Sequence, residues 1–230
     1  MKTIGLIGGM SWESSAEYYR RINTGVRERL GSLRSAQIVL HSIDFGPIEQ
    51  AQREARWDDA GIVLADSARR LQAAGADCVM LATNTMHMVA DSIQAATDLP
   101  FLHIADPVGR AASAAGWQRV GLLGTAFTME QPFLVERLAQ RHGLQVLVPP
   151  PPERALVHRV IYEELCAGIL RGPSRQAYVE VLHGLAAAGA EAVVLGCTEI
   201  GLLIRDEHSP VPLLDTTALH AQAAVDFALA

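Results

Sequence analysis

Apolar residues are concentrated in eight short runs, and most of these runs are continuous rather than alternating with polar residues. Strands that are apolar on both faces are typical of a parallel sheet that helices cover on both sides. The runs are residues 3–8, 37–43, 78–83, 100–105, 119–124, 146–149, 192–197 and 212–215. Longer amphipathic stretches separate them. The pattern therefore predicts an α/β fold with buried parallel strands.

The segment 57–74 illustrates the predicted helices. Its apolar residues recur three or four positions apart, which is the spacing of one helix face. That face would consist of Ile62, Ala65, Ala68 and Leu71. We expect it to pack against the sheet.

The chain also repeats itself at a spacing of about 115 residues. GLIGGM returns as GLLGTA, GADCVMLATNT as GAEAVVLGCTE, and LPFLHIAD as VPLLDTTA. Each match falls on a predicted strand and the turn after it. Because the three matches keep the same order at nearly one spacing, the sequence predicts two similar Rossmann-like lobes with parallel sheets.

We expect the first lobe over residues 1–115, with a C-terminal helix over 216–230 packed on it, and the second lobe over 116–215. A pseudo-twofold axis would relate the lobes. It would bring the carboxyl ends of both sets of strands to one cleft, where open α/β sheets bind ligands. The active site is therefore expected in the cleft between the lobes.

Composition excludes several classes of partner. The net charge is -6 and no basic run is present, so nothing favours nucleic-acid binding. The N-terminal apolar run is too short for a signal peptide or a membrane span. The three cysteines form no CxxC pair and the eight histidines no HExxH motif, which argues against a disulfide framework or a metal site. We expect a cytoplasmic protein without nucleic-acid or membrane partners.

Candidate chemistry follows from the repeat. Superposing its halves places Thr83 on Cys197, each at the end of a buried strand. Two such side chains facing each other would suit racemisation, which removes a proton from one face of a carbon and returns one to the other. A thiol has an ordinary pKa of about 8.5, and helix N-termini and amide donors lower it. We expect such lowering at Cys197.

Polar, uncharged residues also lie at the predicted strand ends. With nearby main-chain amides they would bind a substrate carboxylate and stabilise a carbanion-like transition state. The candidates are Asn84, Thr85, Thr125 and Thr198. Met10 and Met86 are expected to be walls of the pocket.

These turns resemble signatures of the aspartate/glutamate racemase family, which are Cys-Asn-Thr-x-His in the first lobe and Gly-Cys-Thr-Glu in the second. This chain has TNTMH at 83–87 and GCTE at 196–199, with GGM at 8–10 and IYEEL at 161–165. The resemblance runs nearly end to end. It is particularly close to a bacterial branch with GGMSWES and TNTMH that includes broad-specificity and L-aspartate/glutamate-acting racemases.

The resemblance implies an isomerase that transfers the α-proton of an amino acid with two bases, needs no pyridoxal phosphate or other cofactor, and is commonly a homodimer. It also implies that the region after the second strand, or the IYEEL helix, reads the substrate side chain. This region offers Gln52 and Arg53, and position favours Gln52 as the residue that recognises the substrate side chain. A neutral amide there leaves aspartate, glutamate and neutral amino acids open as substrates.

Thr83 departs from the family, because most members have a cysteine there. A hydroxyl is a far weaker acid than a thiol, with a pKa closer to that of water. We therefore predict that Cys197 abstracts the α-proton, preferentially from the L-enantiomer by resemblance to the branch. Thr83 would reprotonate the opposite face, directly or through water.

Three other interpretations remain open. A single active-site cysteine also suits a decarboxylase or a cis-trans isomerase of the same superfamily, and loss of the first cysteine suits a non-catalytic amino-acid binding protein.

Cys78 and Cys166 are expected to be buried and structural. His87 would be a catalytic helper or a local cap, and Asp44 a helix cap.

Overall fold

The computed structural model describes all 230 residues and contains eight strands that alternate with helices. The strands are β1 (Ile4–Gly8), β2 (Ile38–Ser42), β3 (Cys78–Leu81), β4 (Phe101–Leu102), β5 (Arg119–Gly124), β6 (Gln145–Leu147), β7 (Ala192–Gly196) and β8 (Leu213–Asp215). The helices are α1 (Trp12–Leu30), α2 (Phe45–Arg53), α3 (Trp57–Ala73), α4 (Ala90–Gln94), α5 (Ala105–Ala114), α6 (Ala126–Glu130), α7 (Pro132–His142), α8 (Pro151–Glu163), α9 (Gly172–Ala187), α10 (Ile200–Leu203) and α11 (Thr216–Leu229). Short 3₁₀ helices span Thr85–Val89, Leu165–Ala167 and Asp206–His208.

The strands form two four-stranded sheets, ordered β2-β1-β3-β4 and β6-β5-β7-β8. Every strand pair is parallel. Each of the eight predicted apolar runs overlaps one strand, and seven of them contain it whole; β6 begins one residue before its run. The α/β class and the two similar parallel sheets are thereby confirmed.

The chain divides into two compact units. The first comprises Met1–Ile104 and Thr217–Ala230, and the second comprises Ala105–Thr216. The C-terminal helix α11 thus falls almost wholly in the first unit. Helix α5 falls in the second, although the sequence suggested that the first lobe extends to residue 115. Helix α5 packs against α7, and Arg137 on α7 donates two hydrogen bonds of 2.7 Å to the carboxylate of Asp106 on α5.

Strand register relates the two sheets. Ile7 on β1 pairs with Leu81 on β3 in the first sheet, and Leu123 on β5 pairs with Leu195 on β7 in the second. These pairs stand at equivalent places in the repeat. The strand pairing therefore gives the same correspondence between the two halves of the chain as the sequence repeat does.

Both faces of the first sheet are covered, which explains the continuous apolar runs. One face buries Leu6 and Met80 against α1 and α11, and the other buries Leu81 against α3. The edge strand β2 is an exception, because its residues alternate between partly buried and exposed.

The predicted inner face of α3 is correct at Ala65, Ala68 and Leu71 but wrong at Ile62, whose side chain is 67% exposed. Leu64 is buried instead. No helix is both long and apolar enough to cross a membrane.

Candidate active site

In the first unit, Thr83 lies in the turn that follows β3. It is half-buried, Asn84 is buried, and Thr85 begins the 3₁₀ helix Thr85–Val89. The Thr83 carbonyl accepts a hydrogen bond from Nδ1 of His87 at 2.8 Å. The first candidate catalytic residue is therefore held by its main chain.

The loop after β1 lies beside this turn, because β1 and β3 are neighbours. Gly9 has a φ of +97°, and a Cβ there would lie 2.0 Å from the Ile43 carbonyl oxygen, so only glycine fits. Its N–H donates to the Ser15 hydroxyl at 2.8 Å. Ser11 caps α1 by accepting from the Ser14 N–H. Met10, between them, is buried.

Gln52 reaches the same turn from α2. This helix is capped by Asp44, which accepts a hydrogen bond from the Gly46 N–H, as predicted. Gln52 is buried, and its Nε2 lies 2.8 Å from the Met86 sulfur. Arg53 points to solvent and pairs with Glu49. The structure thus brings Gln52 and Met86 together and leaves Arg53 outside.

In the second unit, Cys197 directly follows β7 and is half-buried. Its thiol donates a hydrogen bond to Oε2 of Glu199, with Sγ and Oε2 2.9 Å apart. The Thr198 hydroxyl donates to the same oxygen at 2.6 Å. One oxygen of the Glu199 carboxylate therefore accepts hydrogen bonds from the side chains of both Cys197 and Thr198.

This environment raises the pKa of the Cys197 thiol well above its ordinary value. Burial is the main cause, and the negative charge and hydrogen bond of Glu199 add to it. The expected lowering by a helix N-terminus and amide donors is therefore wrong. The following helix α10 has only four residues, so its dipole is small beside a full carboxylate charge. The resting thiol is a protonated donor.

Thr125 lies at the carboxyl end of β5, the neighbour of β7. It is buried, and its hydroxyl caps α6 by accepting from the Thr128 N–H at 3.3 Å. The next residue, Ala126, donates its N–H to Nδ1 of His158. The hydroxyl of Thr125 is thus engaged in the local turn.

The other two cysteines differ in their surroundings. Cys78 is buried on β3, as predicted, and burial raises its pKa to about 11. Cys166 is exposed on the 3₁₀ helix Leu165–Ala167, so the prediction that it is buried is wrong. The short helix presents it to solvent beside buried Leu165. No group of three His, Cys, Asp or Glu side chains has a geometry that could hold a metal ion.

Two residues emerge that sequence reasoning did not assign to the site. Glu199 was visible only as part of the Gly-Cys-Thr-Glu turn, and its position two residues after the cysteine is the signal that could have identified it. For His87 the sequence allows two roles, a catalytic helper or a local cap. The structure shows that it bonds the Thr83 carbonyl rather than the hydroxyl.

Comparisons with known proteins agree on one family. The sequence profile described as Asp/Glu/hydantoin racemase matches residues 7–224. A crystal structure from Yersinia pestis, of a protein assigned to the Asp/Glu racemases, is similar over 100% of both chains, with 50% identity and a TM-score of 0.96. An aspartate racemase homologue from Pyrococcus horikoshii also matches over 100% of both chains, with 32% identity and a TM-score of 0.89. The broad-specificity amino-acid racemase RacX of Bacillus subtilis is 23% identical over 99% of this chain and 98% of its own.

Proposed function

Because the chain belongs to the Asp/Glu/hydantoin racemase family, we propose that it is an amino-acid racemase that needs no cofactor. Cys197 removes the α-proton from one face of the substrate carbon, and Thr83 supplies a proton to the other. The preferred source of the abstracted proton is the L-enantiomer.

One observation carries this proposal. Thr83 stands two residues after Leu81, and Cys197 stands two residues after Leu195. Leu81 and Leu195 occupy the same register in their sheets, opposite Ile7 and Leu123. The two groups are thus equivalent in the repeat, and a symmetric proton transfer needs two equivalent positions with acidic hydrogens.

The contact between Cys197 and Glu199 supplies the first step. The thiol proton passes to the Glu199 carboxylate, which leaves a thiolate and a carboxylic acid. The thiolate then takes the Cα proton and becomes a thiol again, while the electron pair stays on the substrate as a carbanion. The high resting pKa of the thiol makes transfer of its proton to Glu199 costly, but it makes the thiolate, once formed, a stronger acceptor of the Cα proton.

Thr83 completes the reaction by giving its hydroxyl proton to the opposite face of the carbanion. The alkoxide that remains takes a proton from water, and Glu199 returns to water the proton that it took from the thiol, so the site regains its starting state. In the reverse direction an alkoxide would have to form first, which is costly because a hydroxyl is almost as weak an acid as water. Exchange of the Cα hydrogen is therefore faster from the L-enantiomer. Both directions of net racemisation keep the same kcat/KM, since the enantiomers have equal free energy.

Substrate binding is proposed for the residues around each turn. Asn84, Thr85 and Thr198 and the main-chain amides near them bind the substrate carboxylate. Thr125 contributes through its capped turn. Met10 and Met86 form apolar walls.

Gln52 reads the substrate side chain. It is buried beside Met86, and it is an amide, which accepts and donates hydrogen bonds without demanding a second carboxylate. Neutral amino acids are therefore substrates alongside aspartate and glutamate.

A second candidate function follows from the single site thiol. Loss of CO₂ from a malonate-type acid leaves the same kind of carbanion, which the Cys197 thiol can protonate without any help from Thr83. Addition of a thiolate to the double bond of maleate would likewise allow cis-trans isomerisation.

Both reactions need only one cysteine. Activity of the protein toward malonate-type acids or maleate, together with no activity toward amino acids, would favour these functions. Binding without any Cα exchange would instead indicate an amino-acid binding protein.

The test is a panel of L- and D-amino acids, malonate-type acids and maleate, incubated in heavy water with the wild-type chain and with Cys197→Ser. Cys166→Ser is the matched control, because it removes an exposed thiol from the same unit. We expect Cα-deuterium incorporation into amino acids that Cys197→Ser abolishes and Cys166→Ser preserves. Exchange that survives in Cys197→Ser contradicts the proposal.

We also propose that the racemase works in the cytoplasm as a homodimer, in line with its family. Its three cysteines are free thiols, the usual state in that compartment. Light scattering of the purified chain tests the dimer, and cell fractionation tests the location.

A further inference from the structure

His87 forms three hydrogen bonds that tie together two strand ends of the first sheet. Its Nδ1 bonds the Thr83 carbonyl at 2.8 Å, and its main-chain N–H donates to the Asn84 carbonyl at 3.1 Å. Its Nε2 lies 3.2 Å from the main-chain N of Ile104, just beyond β4. One residue therefore holds two successive carbonyls of the turn after β3 and anchors them to the neighbouring strand.

These contacts fix the protonation state of the imidazole. Nε2 faces an N–H donor, so it has to be the acceptor and carries no proton. Nδ1 then carries the only ring proton and donates it to the Thr83 carbonyl. His87 is buried, and it packs against the rings of His103 and His220, at centroid distances of 4.5 and 5.9 Å. The ring is neutral, and both of its nitrogens form hydrogen bonds with main-chain atoms.

The second unit has no histidine at the equivalent position. In the repeat, Gly201 stands where His87 does, and Glu199 stands where Thr85 does. The thiol is thus supported by a carboxylate that contacts its sulfur, and the hydroxyl by an imidazole that contacts its main chain.

We propose that His87 is the positioning residue of Thr83, holding its main chain so that the hydroxyl meets the opposite face of the substrate carbon. This inference rests on the proposed function. A hydroxyl is a weak acid, so its proton transfer depends on a precise approach to the carbanion. The main-chain bond fixes that approach without using the hydroxyl itself.

The consequence is a change in how the carbanion partitions. After Cys197 has taken the proton of an L-amino acid in heavy water, its thiol exchanges that proton for deuterium from the solvent. The carbanion then takes a deuteron either from the exchanged thiol with retention or from the Thr83 hydroxyl, which also carries deuterium in heavy water, with inversion. The ratio of inversion to retention is a property of each turnover. It does not depend on how much of the protein is folded or on how tightly substrate binds.

Two substitutions separate the bonds of His87. In His87→Asn the amide N–H₂ takes the place of Nδ1 and keeps the bond to Thr83, whereas in His87→Gln the amide oxygen takes the place of Nε2 and keeps only the bond to Ile104. We expect His87→Gln to lower the inversion-to-retention ratio by about five- to tenfold, the rate change that one hydrogen bond can account for. His87→Asn should remain close to the wild type.

His220→Asn is the matched control, because His220 is as deeply buried in the same cluster but bonds Tyr18 and the Leu102 carbonyl. It should lower thermal stability and leave the ratio unchanged. An unchanged ratio in His87→Gln, or an equal fall in His220→Asn, overturns the inference. Failure of the proposed function would be recognised by a different result, namely Cα exchange that persists in Cys197→Ser.

Discussion

The thiol of Cys197 donates a hydrogen bond to the carboxylate of Glu199, with Sγ 2.9 Å from Oε2. A carboxylate in this position has two opposite effects. It keeps the resting thiol protonated, because its negative charge opposes that of a thiolate. It also offers the thiol proton a destination when substrate is bound. Replacing the carboxylate with an amide separates the two effects.

In Glu199→Gln we expect the pKa of Cys197 to fall, since the neighbouring charge is gone. Cα exchange should nevertheless slow by about 100-fold, because an amide cannot take the proton. The pH dependence of iodoacetamide alkylation, in a Cys166→Ser background, reports the thiol pKa. Mass spectrometry reports the exchange.

The matched control is Glu136→Gln, which removes an exposed carboxylate on α7 and should change neither quantity. Exchange at the wild-type rate in Glu199→Gln would show that Glu199 does not accept the proton. A rise in the thiol pKa would contradict the electrostatic account of the site.

Stability should depend on pH through His87. Burial and the neighbouring His103 and His220 lower its pKa well below the ordinary value. In the unfolded chain the same imidazole binds a proton near pH 6.5. The unfolded state therefore binds more protons as pH falls. The free energy of unfolding should be greatest above about pH 6.5 and should decrease below it, by up to about 1.4 kcal/mol per pH unit for one histidine.

Urea unfolding between pH 7.5 and 5.5 measures this slope. The window lies above the ordinary pKa of carboxyl groups. His87→Asn should reduce the slope, whereas His183→Asn, which replaces an exposed histidine on α9, should leave it unchanged. A slope of the same size in His87→Asn would assign the effect to other groups.

The ion pair between Asp106 and Arg137 should hold α5 in the second unit. Both side chains are mostly buried. Burial acts to raise the pKa of Asp106, yet the hydrogen bonds and charge of Arg137 lower it on balance. Arg137→Ala leaves this carboxylate desolvated without its cation, so we expect the free energy of unfolding to fall by about 2–3 kcal/mol.

The comparison for that change is Arg70→Ala, which breaks an exposed pair with Asp66 within α3. There the expected loss is below about 1 kcal/mol. Chemical denaturation measures both. Adding Asp106→Asn to Arg137→Ala should recover part of the loss, and equal losses in the two single variants would contradict the account.

The fold could be predicted from the sequence because strands buried on both faces leave continuous apolar runs, and because the repeat orders them. The prediction was weaker where burial is one-sided. Leu40 on the edge strand β2 is 44% exposed although it follows two apolar residues in its run. Ile62 follows helical spacing but points to solvent, since apolar side chains also occur on protein surfaces.

The equivalence of the two turns was predictable from the sequence, but the electrostatics around Cys197 were not. The repeat identified Thr83 and Cys197 as equivalent, and the register of the two sheets agrees. The direction of the Cys197 pKa shift depends on where the Glu199 carboxylate points, which is a matter of side-chain conformation in one turn. The three bonds of His87 depend on the end of β4, which is distant in sequence.

The central claim is that Thr83 is the weaker of two proton-transferring groups. Its most direct test is the fate of the L- and D-forms of the best amino-acid substrate in heavy water, compared between the wild type and Thr83→Cys. The account predicts that the wild type exchanges the Cα hydrogen faster from the L-form, largely with retention, and that Thr83→Cys raises both inversion and exchange from the D-form. Equally fast exchange from both enantiomers in the wild type, or no change in Thr83→Cys, would contradict it.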